Sequence, residues 1–394
     1  MKRATAFGAG AVVALLTAAT ILTTTSKHAV RTAYASSGQY TITELATLGG
    51  TVGSAYSINN NGLVAGSANL PGDREEHAVR WLNGGITDLG ILGGPNSAVG
   101  FPAKNDHGLL VGFSQTADND PLREGWNYTC TPSGHLCGGK NMITLGFVWQ
   151  NDAMTPLPTL GGHISEAFGV NNLEQVVGVA ETSNQDPTCV RPQVFDYEGV
   201  IWGPNGEIQE ELPPFPGDSI SAAVAINDNG QVVGGSGLCA PLSPSIGVHA
   251  LLWQNGSTTN LGSLGGQRNN VAFAINEEGQ IVGFSGETGD TTAHAFLWID
   301  GAMTDLGTLK GDLSSVAFGI NDNGQVVGQS CNQKGNCRAF LWQNGVMTDL
   351  NTLIPPGSTV RLLSAQDINR QGQIVGQAFD QVTGNTPAFM ATPE

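Results

Sequence analysis

The sequence predicts an all-β fold: a seven-bladed β-propeller, closed by an N-terminal strand that completes the last blade. Three observations predict it. A unit of four short strand-like runs repeats along the chain, its first three runs recurring seven times. The runs are bounded by Gly, Asn and Asp and show no 3.6-residue period, so they read as strands between turns. The seventh unit lacks its fourth run, and an isolated copy of that run precedes the first unit.

The clearest unit spans Val316 to Leu353, with runs Val316–Ile320, Gln325–Ser330, Arg338–Gln343 and Val346–Leu353. Each run is rich in Val, Phe, Ile, Trp and Thr, the residues that suit a pleated surface. Asn321-Asp322-Asn323-Gly324 makes a polar turn between the first two runs. Asn344-Gly345 joins the last two, and Asn-Gly tolerates the positive φ angles of a two-residue hairpin. The unit is therefore a four-stranded antiparallel meander.

Three markers recur. An Asn closes run one: Asn59, Asn105, Asn171, Asn227, Asn276, Asn321 and Asn369. A Gly follows three positions later in every unit but the third, which has Glu174. A Gly closes the core of run two, from Gly66 and Gly112 through Gly178, Gly234, Gly283 and Gly328 to Gly376. Run three carries a Trp in six units, with Ala391 in the seventh slot. The period, roughly 45 to 66 residues, is that of a propeller blade. Run one alternates small and large apolar residues, as in Ala317-Phe318-Gly319-Ile320 and Ala272-Phe273-Ala274-Ile275. Strands point alternate side chains to opposite faces, so both faces are apolar, as expected of a sheet sandwiched between neighbours in a ring.

The seventh unit stops after run three, while Tyr40 to Leu48 matches a fourth run and its connector. Pairing these two ends closes the ring and removes exposed sheet edges. The blades then run over about 51-92, 95-160, 163-212, 218-264, 267-309, 312-353 and 358-391, the last with strand 40-48.

Residues 1-35 differ from the rest. Lys2-Arg3 precedes an apolar run to about Leu22, and Ala33-Tyr34-Ala35 offers small residues at both cleavage positions. This pattern predicts a signal peptide and hence a secreted or cell-surface protein; an uncleaved anchor is the alternative. The formal charge is -17, and removing a leader that carries basic residues and no acid makes it more negative. An acidic, Lys-poor chain is a poor partner for nucleic acid or an anionic membrane. A monomer that binds an extracellular carbohydrate or protein is expected.

The six cysteines are Cys130, Cys137, Cys189, Cys239, Cys331 and Cys337. In an exported chain disulfides are the default. Proximity favours Cys130–Cys137 and Cys331–Cys337, which leaves Cys189–Cys239 to link adjacent blades. No Cys-x2-Cys spacing or neighbouring His pair supports zinc, so neither a metal nor a cofactor is expected.

All six cysteines and all large insertions lie between runs two and three, above all in Phe113 to Thr144. That connection and the run-four-to-run-one connector emerge on the same face of a propeller. Variable loops on a rigid scaffold commonly carry binding. The candidates on this face are Trp126, Tyr128 and Arg123 in the largest insertion, and His163, Asp218, Arg268 and Asp312 among the connectors. Trp126, the one Trp outside the repeated slot, suits an aromatic platform for a sugar or partner, or a pin for its own loop. Asp367, with Lys104 and Gln366, breaks the apolar pattern of run one, which marks either function or a drifted repeat. His77, His249 and His294 share a slot that elsewhere holds Leu145, Glu198, Arg338 and Pro387, so that slot reads as structural.

His294-Ala295-Phe296-Leu297-Trp298, preceded by Ile275-Asn276-x-x-Gly279-Gln280-Ile281-Val282-Gly283 and followed by Asp305-Leu306-Gly307-Thr308-Leu309, resembles the HAF repeat of bacterial probable extracellular repeat proteins. The resemblance covers nearly all of residues 40–391 and implies export and a repeat fold. It brings no activity and no catalytic residues. No nucleophile elbow, phosphate loop or dinucleotide fingerprint is present in a suitable context. The expected function is therefore non-catalytic binding of a carbohydrate or protein through the loop-rich face. The alternatives are a polysaccharide hydrolase or lyase using acids at the channel mouth, such as Asp218, Asp312 or Asp367, and a surface-coat or adhesive component.

Overall fold

A computed structural model describes residues 40–100, 105–124, 142–187, 189, 191–239 and 248–394. It contains seven four-stranded antiparallel sheets. Strand β1 (Tyr40–Leu45) comes first. Blade 1 is β2–β5 (Gly53–Ile58, Val64–Asn69, Glu76–Leu82, Gly85–Asp88), and blade 2 is β6–β9 (Gly93–Ala98, Leu110–Asn119, Met142–Gln150, Ala153–Pro156). Blade 3 is β10–β13 (Gly161–Val170, Val176–Gln185, Phe195–Trp202, Ile208–Leu212), and blade 4 is β14–β17 (Ile220–Ile226, Val232–Gly237, His249–Gln254, Ser257–Asn260). Blade 5 is β18–β21 (Val271–Ile275, Ile281–Gly286, Ala293–Ile299, Ala302–Gly307), and blade 6 is β22–β25 (Ser314–Ile320, Val326–Cys331, Cys337–Gln343, Val346–Asp349). Blade 7 has β26–β28 (Val360–Ile368, Ile374–Asp380, Ala388–Pro393), with β1 as its outermost strand.

The fold is the predicted seven-bladed propeller, and its closure is the predicted one. β1 pairs antiparallel with β28 from Tyr40↔Pro393 to Leu45↔Ala388. The Tyr40 N–H also donates to the Leu353 carbonyl at the end of blade 6 (2.7 Å). The hairpin turns take the predicted conformation, with Asn344 at φ 52° and Gly345 at φ 83°. Glu174, the exception in the Gly series, adopts φ 61° without glycine's freedom.

The alternation in run one does not run uninterrupted, as the sequence pattern implied. The inner strands of six blades carry a register shift at one slot, for example between Ala272 and Ala274 and between Ala317 and Gly319. The residue inside the shift is the large one. Phe273 and Phe318 are half-buried and meet ring to ring at 5.7 Å, while Ala272 and Ala317 beside them are fully buried. The bulge thus sets the large side chain out of step with the small ones beside it, and in Phe273 and Phe318 it brings the rings of neighbouring blades together.

The same kink explains the glycine of run two. A Cβ at Gly328 would lie 2.0 Å from the Val316 carbonyl oxygen and 2.8 Å from the Phe340 ring. Gly283 is confined in the same way by Val271 and Phe296, and Gly376 by Ser364 and Phe389. The hydrophobic core lies between successive blades. Ala225, Val233 and Ala250 of blade 4, for instance, pack with Ala272, Ile275, Ile281 and Phe296 of blade 5. The repeated Trp closes the periphery: the Trp81, Trp202 and Trp253 indoles donate to the carbonyls of Ala46, Pro158 and Pro213 in the preceding connectors.

The Asn that ends run one forms a closed ring. Each Nδ2 donates to the main-chain carbonyl of the corresponding Asn in the next blade, from Asn59→Asn105 at 3.0 Å round to Asn369→Asn59 at 3.1 Å. Each Oδ1 accepts main-chain N–H groups of its own turn, as Asn321 does from Asn323 (3.1 Å) and Gln325 (3.0 Å). These groups are buried, and their only alternative to pairing is desolvation without a partner. Asn321→Ala should therefore lower unfolding stability by roughly 2–4 kcal/mol, because a carbonyl and two N–H groups lose their partners. Urea denaturation checks this; an unchanged midpoint would contradict the ring's structural role.

Candidate functional site

The face that carries the insertions is built up over blades 2 and 3. There β7, β10 and β11 reach 10 residues, against 6 in β23 of the regular blade 6. A disulfide between Cys189 and Cys239 ties the blade 3 insertion to blade 4, and Cys331–Cys337 closes the shorter loop of blade 6. Both pairings are the expected ones, Cys331–Cys337 from proximity and Cys189–Cys239 as the pair that remained. Cys130 and Cys137 lie outside the described residues, as do Trp126, Tyr128 and Lys104. Among the described residues no helix is long and apolar enough to cross a membrane. The two disulfides indicate an oxidising, extracellular setting.

The connector acids named from the sequence are paired within their own blades. Asp218 sits 2.7 Å from His249 Nδ1 and accepts the Ser236 hydroxyl. Asp312 binds Arg338 at 2.8 Å, and Arg338 also binds Asp349 at 2.8 Å. The histidine slot of run three is thus a strand-edge pairing position, with His77–Asp88 at 2.9 Å and His294–Asp305 at 3.1 Å. Asp367 is fully buried. Its carboxylate accepts the N–H of Ile368 (2.8 Å) and of Ile58 in blade 1 (3.0 Å), so it seals the blade 7–blade 1 joint. Arg268 is exposed and offers its main-chain N–H to Asp290 (3.0 Å). Arg123 is exposed at φ 57°. Asp218, Asp312 and Asp367 therefore serve three different blades and form no common cluster among the described residues.

On the opposite face, Asn60, Asp106, Asn172, Glu277, Asp322 and Arg370, each following a ring Asn, line a cavity of about 480 Å³ that includes open solvent, and Asp228 continues their collar. Its acids are committed to main-chain donors: Asp106 accepts from Asn60, Asp228 from Asn172, Glu277 from Asp228 and Asp322 from Glu277. Arg370 closes the collar on Asp322 (2.6 Å).

His163 behaves differently from the other connector candidates. Its side chain approaches Asp120 and Glu124 from the blade 2 insertion, and the ligating atoms of the three lie within 4.8 Å of one another. His163 Nδ1 is 3.5 Å from Asp120 Oδ1. The His163 main-chain N–H donates to Glu181 Oε2 (2.8 Å), and Gln193 Nε2 donates to Glu181 Oε1 (3.1 Å). Asp120, Glu124 and Glu181 are all buried. Burial raises the Glu181 carboxyl, the His163 N–H opposes the rise, and the neighbouring Glu124 and Asp120 add to it, so the group is pushed up to about 9. Sequence reasoning found His163 but missed the three carboxylates. One signal was legible: Glu181 occupies the slot of Cys331, and Glu166 that of Val271 and Val316.

No family model matches the sequence, and no curated protein matches it. Solved structures do. The β-propeller domain of the Trilobed protease from Pyrococcus furiosus, reported to have an open velcro topology, is 10% identical with a TM-score of 0.51. The match covers 86% of this chain and 95% of that one. The likeness is one of fold alone. Pyrococcus horikoshii acylaminoacyl peptidase is 11% identical with a TM-score of 0.48, over 85% of this chain and 51% of that one. Trypanosoma rangeli sialidase is 11% identical with a TM-score of 0.39, over 79% and 55%. This chain spans about half the length of the peptidase.

Glu166, on the inner strand of blade 3, is fully buried, with Oε2 unpartnered among the described residues. Burial pushes its carboxyl up to about 8. A raised folded-state value means that the contribution to stability is complete below the ordinary carboxylate range and is lost as pH rises through about 8. Glu166→Gln, neutral at every pH, should gain on the wild type between pH 5 and pH 9 by on the order of 3–5 kcal/mol. Urea titrations at the two pH values check this; a pH-independent difference would contradict it.

Proposed function

We propose that the chain is a secreted, non-catalytic repeat protein that binds a carbohydrate or protein partner through the insertion-bearing face of its propeller. The observation that carries the reading is the reinforcement of that face. Strands extend beyond the regular length in blades 2 and 3, and a disulfide crosslinks blade 3 to blade 4. Pre-ordering a loop surface lowers the entropy lost on binding, which is what a recognition surface requires. The resemblance to extracellular HAF repeats and the acidic composition support the same setting.

The enzyme reading is less well supported. Glycoside hydrolysis needs two accessible carboxyl groups facing one bond. Asp218, Asp312 and Asp367 are each engaged by partners and belong to three different blades, and Asp120, Glu124 and Glu181 are buried out of reach of a polymer.

Glycan-array binding of the mature chain, with Arg123→Ala beside it, tests the proposal. The expected result is saturable binding that weakens about tenfold in the variant, the loss of a single polar contact at an interface. Turnover of a bound glycan would overturn the non-catalytic reading. Absence of any glycan binding would leave the protein-partner form, to be tested by crosslinking from residue 123.

A further inference from the structure

We propose that Asp120, Glu124 and His163, backed by Glu181, bind a divalent transition-metal cation of the zinc or manganese type. The four residues come from three separate segments: the blade 2 insertion, the start of the first strand of blade 3 and the second strand of blade 3. No short sequence spacing joins them, so a motif search misses the site.

The arrangement has three features of a cation site. First, the ligating atoms of Asp120, Glu124 and His163 all lie within 4.8 Å of one another, so modest side-chain closure brings them to the roughly 2.0–2.2 Å that Zn²⁺ requires. Second, among the described residues two buried ligand atoms of the cluster make no hydrogen bond. Glu124 is 0% exposed, and its Oε2 has no hydrogen-bond partner among the described residues; neither has His163 Nδ1.

The other carboxylate oxygens are held. Glu124 Oε1 accepts the N–H of Val194 (2.7 Å) and Phe195 (2.8 Å). Asp120 accepts Leu122 N–H (3.0 Å) through Oδ1 and Glu124 N–H through Oδ2. Such outer contacts orient ligands in metal sites and leave the coordinating atoms free. Third, the charges are unbalanced. Three buried carboxyl groups face one imidazole, and among the described residues no Lys or Arg pairs with any of them. Buried acids normally carry a paired cation or bind metal.

The ligand set selects the metal. Calcium and magnesium favour sites made wholly of oxygen, whereas an imidazole beside carboxylates suits zinc or manganese. Bound there, the ion joins the blade 2 insertion to blade 3, as Cys189–Cys239 joins blade 3 to blade 4. It thereby stiffens the face proposed above for recognition, but the site stands on its own geometry whatever that face binds.

The test is calorimetric titration of ZnCl₂ and MnCl₂ into untagged, EDTA-stripped protein, with CaCl₂ as control and thermal melts in parallel. The expected result is saturable binding of zinc or manganese with a raised melting temperature. Glu124→Gln and His163→Ala should each weaken it by roughly tenfold or more. His163 is partly exposed at 32% of its side chain, so its variant keeps the test open if Glu124→Gln misfolds through loss of the Val194 and Phe195 contacts. Absence of saturable binding, affinity unchanged in the His163 variant, or tighter binding of calcium than of both transition metals would overturn the proposal.

Discussion

One hydrogen-bonded ring holds the seven blades in register. Asparagine is suited to it because its short side chain has both a donor and an acceptor. The acceptor closes the tight turn of its own blade, and the donor reaches the next blade's main chain. Aspartate would lose the donor, and glutamine would change the reach. Because the bond runs from each blade to the next, the ring is complete only when Asn369 meets Asn59. Strand β1 makes that meeting possible by completing blade 7, and Asp367 seals the same joint from within. The ring, the terminal strand and the buried acid all serve closure.

Much of this was legible in the chain because it repeats. The turn Asn recurs in every blade, the hairpin Asn-Gly in several, and the run-four copy at Tyr40 answers the one run that blade 7 lacks. The bulge was not legible. An alternating pattern with one extra residue looks like an ordinary strand until pairing is known, and only the collision at Gly328 shows why glycine is required there. The acidic cluster was hidden for another reason. Asp120, Glu124, His163 and Glu181 meet across a blade boundary, and contacts between blades leave no spacing signature within one. Asp367 was visible as a broken pattern, and the structure places it at the ring's seam, where it accepts the N–H of Ile58 and Ile368.

The two faces of the disc use their polar groups differently. On the turn face, acids such as Asp106 and Asp228 accept main-chain donors of the neighbouring blade and are consumed by structure. On the insertion face, the regular blades do the same with His–Asp and Arg–Asp pairs. Blades 2 and 3 depart from that economy, with longer strands and buried carboxyl groups that exceed their local donors. Departures of this kind, where a repeat stops obeying its own rule, are where a scaffold acquires chemistry that its siblings lack.

Closure is most directly tested by hydrogen exchange on a chain lacking residues 40–48. If β1 completes the ring, amides of blade 7 and of blade 1 lose protection together, and the loss extends to the Asn369 and Asn59 turns. A truncated chain with wild-type protection in both blades would show that the propeller does not depend on its N-terminal strand.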